Sequence, residues 1–450
     1  MPTDGPGMQI SRRRALAIGG AAAASVLSVR GLSGAPDDGT DTSPTPSDAD
    51  SLARVREAGI TGDGVVVAVV DPTGFDPTHD AVAGRIDDIR QFGTESAVVD
   101  ATTHGTAAAA AVADLAPDAR LVLASFRTAG EFRAATEWAD TVDADVILAP
   151  VAAHGTVASP RSPVVRAARS AVESGRVVVA PTGNAALGHW QAPYAALADG
   201  APDDRRLRVR PISDTATVAG RFVAWLVTDP SLRRELTLAL LRAVDGGDRW
   251  DLIAVSRPVD GRAGRRLDAD LSTGAYALVV RPADAGSGSP VDGDPTDRVE
   301  VTTPTHALAS PRPLGSIAAP ASVPGVVGVG AVGRGADRRD VAADDAPEPT
   351  TGAIAPYSGR GPTVAGRTGV DVVAPPRPWD AAGPPGTSAA AARTAGTAAL
   401  VLDARSELGP AGVRRVLRAS AGDVGRPGRD LSAGWGRLDV VAAVQRARAQ

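Results

Sequence analysis

Ser388 lies in a Gly-Thr-Ser turn that leads into the alanine-rich residues 389–392. Alanine has the highest helix propensity, so this run predicts a buried helix with Ser388 at its N-terminus. Free backbone N–H groups at such an end would stabilise the oxyanion formed when a serine hydroxyl attacks a carbonyl. The alternative is that Thr387 or Ser388 only caps the helix, as Ser and Thr often do.

A serine nucleophile needs a general base, and the base needs a group that orients it. The chain has five histidines: His79, His104, His154, His189 and His306. We single out His104, which lies in the sequence Thr-His-Gly-Thr directly before the alanine-rich residues 107–113. This run predicts a second helix, with the imidazole of His104 at its start. Asp71 is the candidate orienting group. Taken singly, a histidine at a helix start and an acid after a strand are commonly structural.

The elements that would position these residues follow an α/β pattern. Asp71 ends the β-branched run 65–70, which is typical of a strand buried on both faces of a parallel sheet. Short apolar runs then alternate with helical stretches, and the pattern resumes after 304. The predicted strands are 120–125, 144–149, 176–180, 326–332 and 370–373, and the predicted helices are 131–140, 164–174, 413–419 and 440–447. This order predicts a doubly wound, mostly parallel sheet.

Residues 201–305 differ in character from the rest of the chain. Short segments with mixed or alternating apolar residues are separated there by Gly, Asp and Pro. Four of the chain's few large aromatic residues also fall in this range: Phe222, Trp225, Trp250 and Tyr276. This pattern predicts an all-β sandwich inserted into the α/β domain, with a loop at 287–297. The α/β domain would then consist of 51–200 and 306–450.

The N-terminal region has the layout of an export signal. Three arginines at 12–14 precede an apolar run of about 15 residues and then a small-residue site, which is typical of a secretory signal over 1–35. The paired arginines resemble a twin-arginine signal. The run falls short of the ~20 residues that span a membrane, which argues against a stable anchor after export. Residues 36–50 predict a disordered linker, with folding from about Ser51.

The amino-acid composition limits which ligands and partners the protein can be expected to have, and it indicates the kind of genome that encodes the chain. The chain has no cysteine and no lysine, so disulfides and thiolate metal sites are excluded and all 47 basic residues are arginine. With a net charge of −5 and no basic block after the N-terminal arginines, nucleic acid is not an expected partner. The arginine and aspartate bias suggests a GC-rich genome and is compatible with a haloarchaeon. Oligomeric state cannot be derived from these features.

The order Asp71, His104, Ser388 is that of the subtilisin triad, and each residue lies in a motif that resembles the subtilase family of serine peptidases. The matching segments are 67–76 around the aspartate, His-Gly-Thr at 104–106, Ala-Pro at 116–117, Gly-Asn at 183–184, Gly-Thr-Ser-x-Ala at 386–390 and Gly-Trp-Gly at 434–436. The resemblance implies an endopeptidase that hydrolyses polypeptides through an acyl-enzyme. It implies Asn184 as oxyanion donor, no cofactor for the chemistry and possible structural calcium.

Several positions depart from the family pattern. Pro72 is an extra residue after Asp71, and Arg393 stands where the family usually has His. Pro150 and Ala152 replace residues of the Ser-Leu-Gly edge that pairs with substrate backbone, and Pro150 offers no N–H. These changes motivate an alternative function, an impaired subtilase-fold protein that binds or adheres at the cell surface. A third reading, a metal site, would draw on acidic and imidazole ligands at Asp71, Asp76, His79 and Asp80.

Overall fold

The computed structural model describes residues 48–100, 103–156, 162–198, 206–212, 217–229, 232, 235–259, 264–283, 297–333, 353–376 and 386–450. The predicted signal at 1–35, most of the predicted linker at 36–50 and all but the last residue of the predicted loop at 287–297 lie outside these residues. Helix α1 (Asp48–Glu57) begins three residues before Ser51, where folding was expected to start.

The first part of the chain alternates strands and helices, as the apolar runs predict. Its elements are β1 (Val66–Asp71), β2 (Ile86–Phe92), α2 (His104–Leu115), β3 (Arg120–Phe126), α3 (Ala129–Thr141), β4 (Val146–Leu148), α4 (Pro163–Glu173) and β5 (Val177–Pro181). All six residues of β1 are buried, as a continuous β-branched run requires. Helix α3 begins with a capping box between Thr128 and Glu131, which explains its sharp start.

Short antiparallel strands follow. They are β6 (His189–Pro193), β7 (Leu207–Arg210), β8 (Val218–Thr228), β9 (Leu236–Val244), β10 (Arg249–Val255), β11 (Arg257–Pro258), β12 (Arg265–Gly274), β13 (Tyr276–Pro282), β14 (Arg298–Thr302) and β15 (Ala307–Leu308), with the short helix α5 (Ala195–Ala198) after β6. The α/β pattern then resumes with β16 (Val327–Ala331), β17 (Val372–Ala374), α6 (Thr387–Ala404), α7 (Pro410–Ala419) and α8 (Val440–Arg448).

Seven strands form one parallel sheet in the order β17-β16-β5-β4-β1-β3-β2. Side chains of β1 alternate between two cores: Val67 and Val69 face helices α2, α6, α7 and α8, whereas Val66, Ala68 and Val70 face α3 and α4. The predicted doubly wound parallel sheet is confirmed. No helix in the described ranges combines the length and apolar character that crossing a membrane requires.

The antiparallel strands form two five-stranded sheets, β10-β9-β13-β7-β15 and β11-β12-β8-β14-β6, around a core of their own. Two strands of these sheets lie outside the predicted range 201–305. Strand β6 pairs with β14, and β15 pairs with β7. The pairing of β6 fastens the sandwich to the chain directly after β5, at the carboxyl edge of the parallel sheet.

Candidate active site

Asp71 is the last residue of β1 and is fully buried. Its Oδ1 accepts two hydrogen bonds from Thr73, one from the backbone N–H at 2.8 Å and one from the hydroxyl at 2.6 Å. Pro72 between them has no N–H to compete for the carboxylate. The extra residue in the turn therefore leaves Asp71 fixed, with Oδ2 directed at His104.

His104 is the first residue of α2. The helix start is held by Thr103, whose hydroxyl accepts from the Thr106 N–H, and by the Gly105 N–H, which donates to the Thr73 hydroxyl at 2.9 Å. The His104 Nδ1 lies 2.6 Å from Asp71 Oδ2. Since an ionised carboxylate only accepts, Nδ1 carries the proton in this hydrogen bond. In the neutral ring Nε2 is therefore free to accept a proton.

Burial and the Asp71–His104 hydrogen bond shift the pKa values of Asp71 and His104 in opposite directions. Burial would raise the pKa of Asp71, but the charge of His104 and the hydrogen bonds from His104 and Thr73 together lower it below its ordinary value. Burial would lower the pKa of His104, but the charge of Asp71 and its hydrogen bond raise it above the usual value. The pair thus stabilises an imidazolium, which is the ion that forms when His104 accepts a proton.

Ser388 is the second residue of α6. The N-cap is Gly386, which has no side chain to cap the helix. The Ser388 hydroxyl instead donates to the backbone oxygen of Pro150 at 3.0 Å, and the Thr387 hydroxyl donates to Asn184. The alternative that Thr387 or Ser388 serves only as a cap is therefore wrong. The Thr387 N–H donates to Asn184, and Ser388 lies in the first turn of α6, where backbone N–H groups have no partner one turn earlier in the helix.

Asn184 follows β5 and is oriented by α6. Its Oδ1 accepts from the Thr387 N–H at 3.0 Å and from the Thr387 hydroxyl at 2.8 Å. The amide oxygen is thereby occupied, so the Nδ2 group is the one available to a ligand. Nδ2 also lies 3.0 Å from the point that a Cβ at residue 386 would occupy. Gly386 is therefore needed for this close approach.

Strand order brings these groups to one edge of the sheet. Strands β5, β4 and β1 are neighbours, and Asn184, Pro150 and Asp71 lie at or just beyond their carboxyl ends. Open α/β sheets place their sites at this edge. The hydrogen bond to Pro150 holds Ser388 at the end of β4, and the hydrogen bond to Asp71 holds His104 at the end of β1. Strands β4 and β1 are adjacent, and adjacent strands are about 4.8 Å apart. In this conformation the Ser388 hydroxyl bonds to Pro150 and not to His104.

Residues 150–153, which the sequence predicts to form the substrate edge, have few free backbone donors. Pro150 has no N–H, the Val151 N–H donates to Ala149 at 2.7 Å, and the Ala153 N–H donates to the Ala319 oxygen at 2.7 Å. Of the N–H groups at 150–153, which the structure describes throughout, that leaves the one of Ala152 without a partner. The edge can thus offer an extended peptide fewer backbone hydrogen bonds than a free strand would.

The sandwich lies against the end of this edge. Gly155 has φ +70°, and a Cβ there would fall 2.1 Å from the Trp225 ring, so Trp225 packs directly on the backbone of the loop. Trp225 is a residue of β8 and is buried. The inserted sheets therefore support the loop that carries Pro150 and Ala152.

Residues suggested for a metal site do not converge. Asp71 is engaged by His104 and Thr73, and Asp76 Oδ1 accepts from the Thr78 N–H and hydroxyl. Within the described ranges, no three or more His, Asp or Glu side chains group as metal ligands would. The sequence interpretation also missed Thr73 as a positioning residue. The Asp-x-Thr spacing, which recurs at 76–78, is the signal that would have indicated it.

Comparison with known proteins adds two findings. Residues 309–436 match the model of the subtilase family, a range that includes Ser388 but not Asp71, His104 or Asn184. Among solved structures, the CspB protease of Clostridium perfringens aligns with a TM-score of 0.57 and 15% identity, covering 90% of this chain and 100% of that one. This similarity shows the shared fold.

A second solved structure is fervidolysin from Fervidobacterium pennivorans, described as a keratinolytic enzyme related to subtilisin. It aligns with a TM-score of 0.47 and 17% identity, covering 88% of this chain and 45% of that one. No sequence among curated proteins matches. The chain therefore contains a segment, residues 309–436, that matches the subtilase family, within a fold that it shares with the CspB protease.

Proposed function

We propose that the chain is a serine endopeptidase that acts through an Asp71-His104-Ser388 triad. Ser388 Oγ attacks the scissile carbonyl while His104 Nε2 takes its proton and then delivers it to the leaving amine. Water, activated by the same imidazole, hydrolyses the acyl-enzyme. Asn184 Nδ2 and the Ser388 N–H donate to the oxyanion. Each role falls to a protein group, so the proposed chemistry needs no cofactor.

The observation that carries this proposal is the Asp71–His104 pair. A buried carboxylate fixes Nδ1 as donor and leaves Nε2 as base, on the strand next to the one over which Ser388 is bound. To become the nucleophile, Ser388 must rotate its hydroxyl from the Pro150 oxygen to His104. Such bonds are often loose in a free enzyme and tighten when substrate binds.

A fluorophosphonate probe tests the nucleophile. We expect the wild-type chain to be labelled, and Ser388→Ala and His104→Ala to be unlabelled, while Ser420→Ala, at the far end of α7, is labelled as wild type. Circular dichroism should show that all four proteins are folded. Absence of labelling in folded wild type, or equal labelling of Ser388→Ala, would contradict the proposal.

The second candidate function is a subtilase-fold binding or adhesion protein with impaired catalysis. It is favoured by the substrate edge, where Pro150 lacks an N–H and Val151 donates within the loop, and by the Ser388 hydrogen bond to Pro150. This candidate predicts peptide binding without turnover. Hydrolysis of a peptide by wild type but not by Ser388→Ala would exclude it.

We infer that the protein acts outside the cytoplasm, on the basis of residues 1–35. Their arginines and apolar run favour export of a folded chain by a twin-arginine route. Replacing both Arg12 and Arg13 with Lys should leave the protein inside cells, as fractionation would reveal. Export at the wild-type level would contradict the twin-arginine assignment. A structural calcium site has no residues assigned to it.

A further inference from the structure

Four arginines surround a surface cavity of about 290 Å³, which we call the arginine pocket. Its charged residues are Arg367, Arg414, Arg418 and Arg429, and its remaining lining residues are Gly366, Thr368 and Gly369. Arg414 and Arg418 lie one turn apart on α7, whereas the other two come from loops. Because the chain as a whole carries a net charge of −5, this local excess of positive charge is not a consequence of a basic composition.

The arginine pocket is separate from the candidate active site. Two of its arginines, Arg414 and Arg418, bind Asp371, which immediately precedes β17, and Asp371 Oδ2 accepts from the N–H of Gly328 at the start of β16. The pocket is therefore at the amino ends of these parallel strands. The triad residues lie at the carboxyl ends, on the opposite edge of the sheet.

Asp371 explains two of the four arginines. It is 2% exposed, and it accepts from Arg414 Nε at 3.0 Å and from Arg418 Nε at 2.7 Å. A buried carboxylate needs such partners, so this cluster fastens α7 to the sheet. The Nη groups of Arg414 and Nη1 of Arg418 have no hydrogen-bond partner among the described residues.

Arg367 and Arg429 are not explained in this way. Arg367 Nη2 donates to the Ser322 backbone oxygen, whereas the buried Nε has no hydrogen-bond partner within the described part of the chain. Burial and the nearby charge of Arg414 lower the pKa of Arg367; Asp371 opposes them less strongly, and Arg418 adds a smaller lowering. Arg429 lies 5.9 Å from the Trp435 ring and pairs with no carboxylate among the described residues. Among the described residues, the Asp371 carboxylate thus pairs with two of the four arginines that line the pocket.

We propose that the arginine pocket binds a small multivalent oxyanion, with phosphate or a phosphoryl group as the class of ligand. Guanidinium groups present planar pairs of N–H donors that match the oxygens of phosphate, and they remain charged at all working pH values. An oxyanion of this kind would supply acceptors for Arg367 Nε and for the Nη groups of Arg414, and it would offset the mutual repulsion of the cluster. The proposal does not depend on peptidase activity.

Titration calorimetry of the full chain with inorganic phosphate tests the proposal, with chloride at equal ionic strength as the reference. We expect saturable binding at one site per chain. Arg367→Gln and Arg429→Gln should each weaken binding roughly tenfold or more, the usual effect of losing a charge-assisted hydrogen bond. Arg415→Gln is the matched control, because Arg415 is adjacent to Arg414 on α7 but does not line this cavity.

Arg429 is exposed, so Arg429→Gln keeps the test valid if Arg367→Gln does not fold. Phenyl phosphate serves as a second probe: tighter binding than phosphate identifies a phosphoryl ester as the ligand, and equal or weaker binding identifies the free ion. No saturable binding of either probe to wild type would overturn the proposal. Equal weakening by Arg415→Gln would also overturn it, because it would indicate a diffuse charge effect.

Discussion

Replacing Asp71 with Asn should invert the hydrogen bond that fixes His104. The Thr73 N–H and hydroxyl both donate to Oδ1 of residue 71, so the amide oxygen of Asn would stay at that position. The amide NH₂ would then face His104 Nδ1 at the position of the present Oδ2, which lies 2.6 Å away. Because NH₂ can only donate, Nδ1 would become the acceptor and the ring proton would move to Nε2. His104 could no longer accept the proton of Ser388.

The expected cost is a loss of roughly 10⁴-fold in kcat, as measured for the same change in a Ser-His-Asp triad. This corresponds to about 5 kcal/mol of transition-state stabilisation. The acid limb of the pH profile of kcat/KM should also shift, to lower pH. In wild type it reports His104, whose pKa is raised by Asp71, so activity falls as pH drops through a value above about 6.5. Without the carboxylate, burial dominates and the limb should move to lower pH.

The assay is hydrolysis of a chromogenic peptide across the pH range, with unfolding followed in parallel. Asp76→Asn is the matched control, because Asp76 Oδ1 accepts from Thr78 just as Asp71 accepts from Thr73, yet Asp76 has no hydrogen bond to His104. We expect Asp76→Asn to retain wild-type kcat and the wild-type acid limb. A loss below tenfold for Asp71→Asn, or an unshifted limb, would refute the reasoning.

Three further changes test other parts of the site. Asn184→Ala should lower kcat roughly 10²–10³-fold, the cost of one oxyanion donor, with little change in KM; a kcat within tenfold of wild type would count against that role. Gly105→Ala should destabilise the fold by about 1–3 kcal/mol in urea unfolding, because its Cβ would lie 2.6 Å from the Gly74 oxygen. Gly130→Ala, with its nearest neighbour at 3.9 Å, is the control and should not destabilise. Pro150→Ser should restore a backbone donor and raise kcat/KM several-fold for extended peptides but not for small esters; equal effects on both would contradict the edge interpretation.

Local sequence signals were sufficient for the central elements of the fold. The β-branched run before Asp71 can only be buried on both sides, and the alanine-rich segments after His104 and Ser388 have little option but to form helices. These signals also indicated which residues begin or end an element. They could not give the sandwich its strand partners, because the pairing of β6 with β14 depends on register between segments about a hundred residues apart.

Two features, one in the active site and one at the arginine pocket, depend on contacts that leave no trace in local sequence. The hydrogen bond from Ser388 to Pro150 joins residues 238 positions apart, and its acceptor is a backbone oxygen, which any residue would provide. The arginine pocket combines a loop, a helix and a second loop, and its four arginines do not stand out in a chain whose basic residues are all arginine. Only the folded chain shows that they line one cavity.

The central claim is that Ser388 is a nucleophile that carries an acyl group. Wild-type protein mixed with a p-nitrophenyl ester and quenched in acid should show, by intact mass and peptide mapping, one acyl group per chain on Ser388, with Ser388→Ala unmodified. Folded wild type that forms no adduct, or an adduct that maps to another residue, would contradict the account.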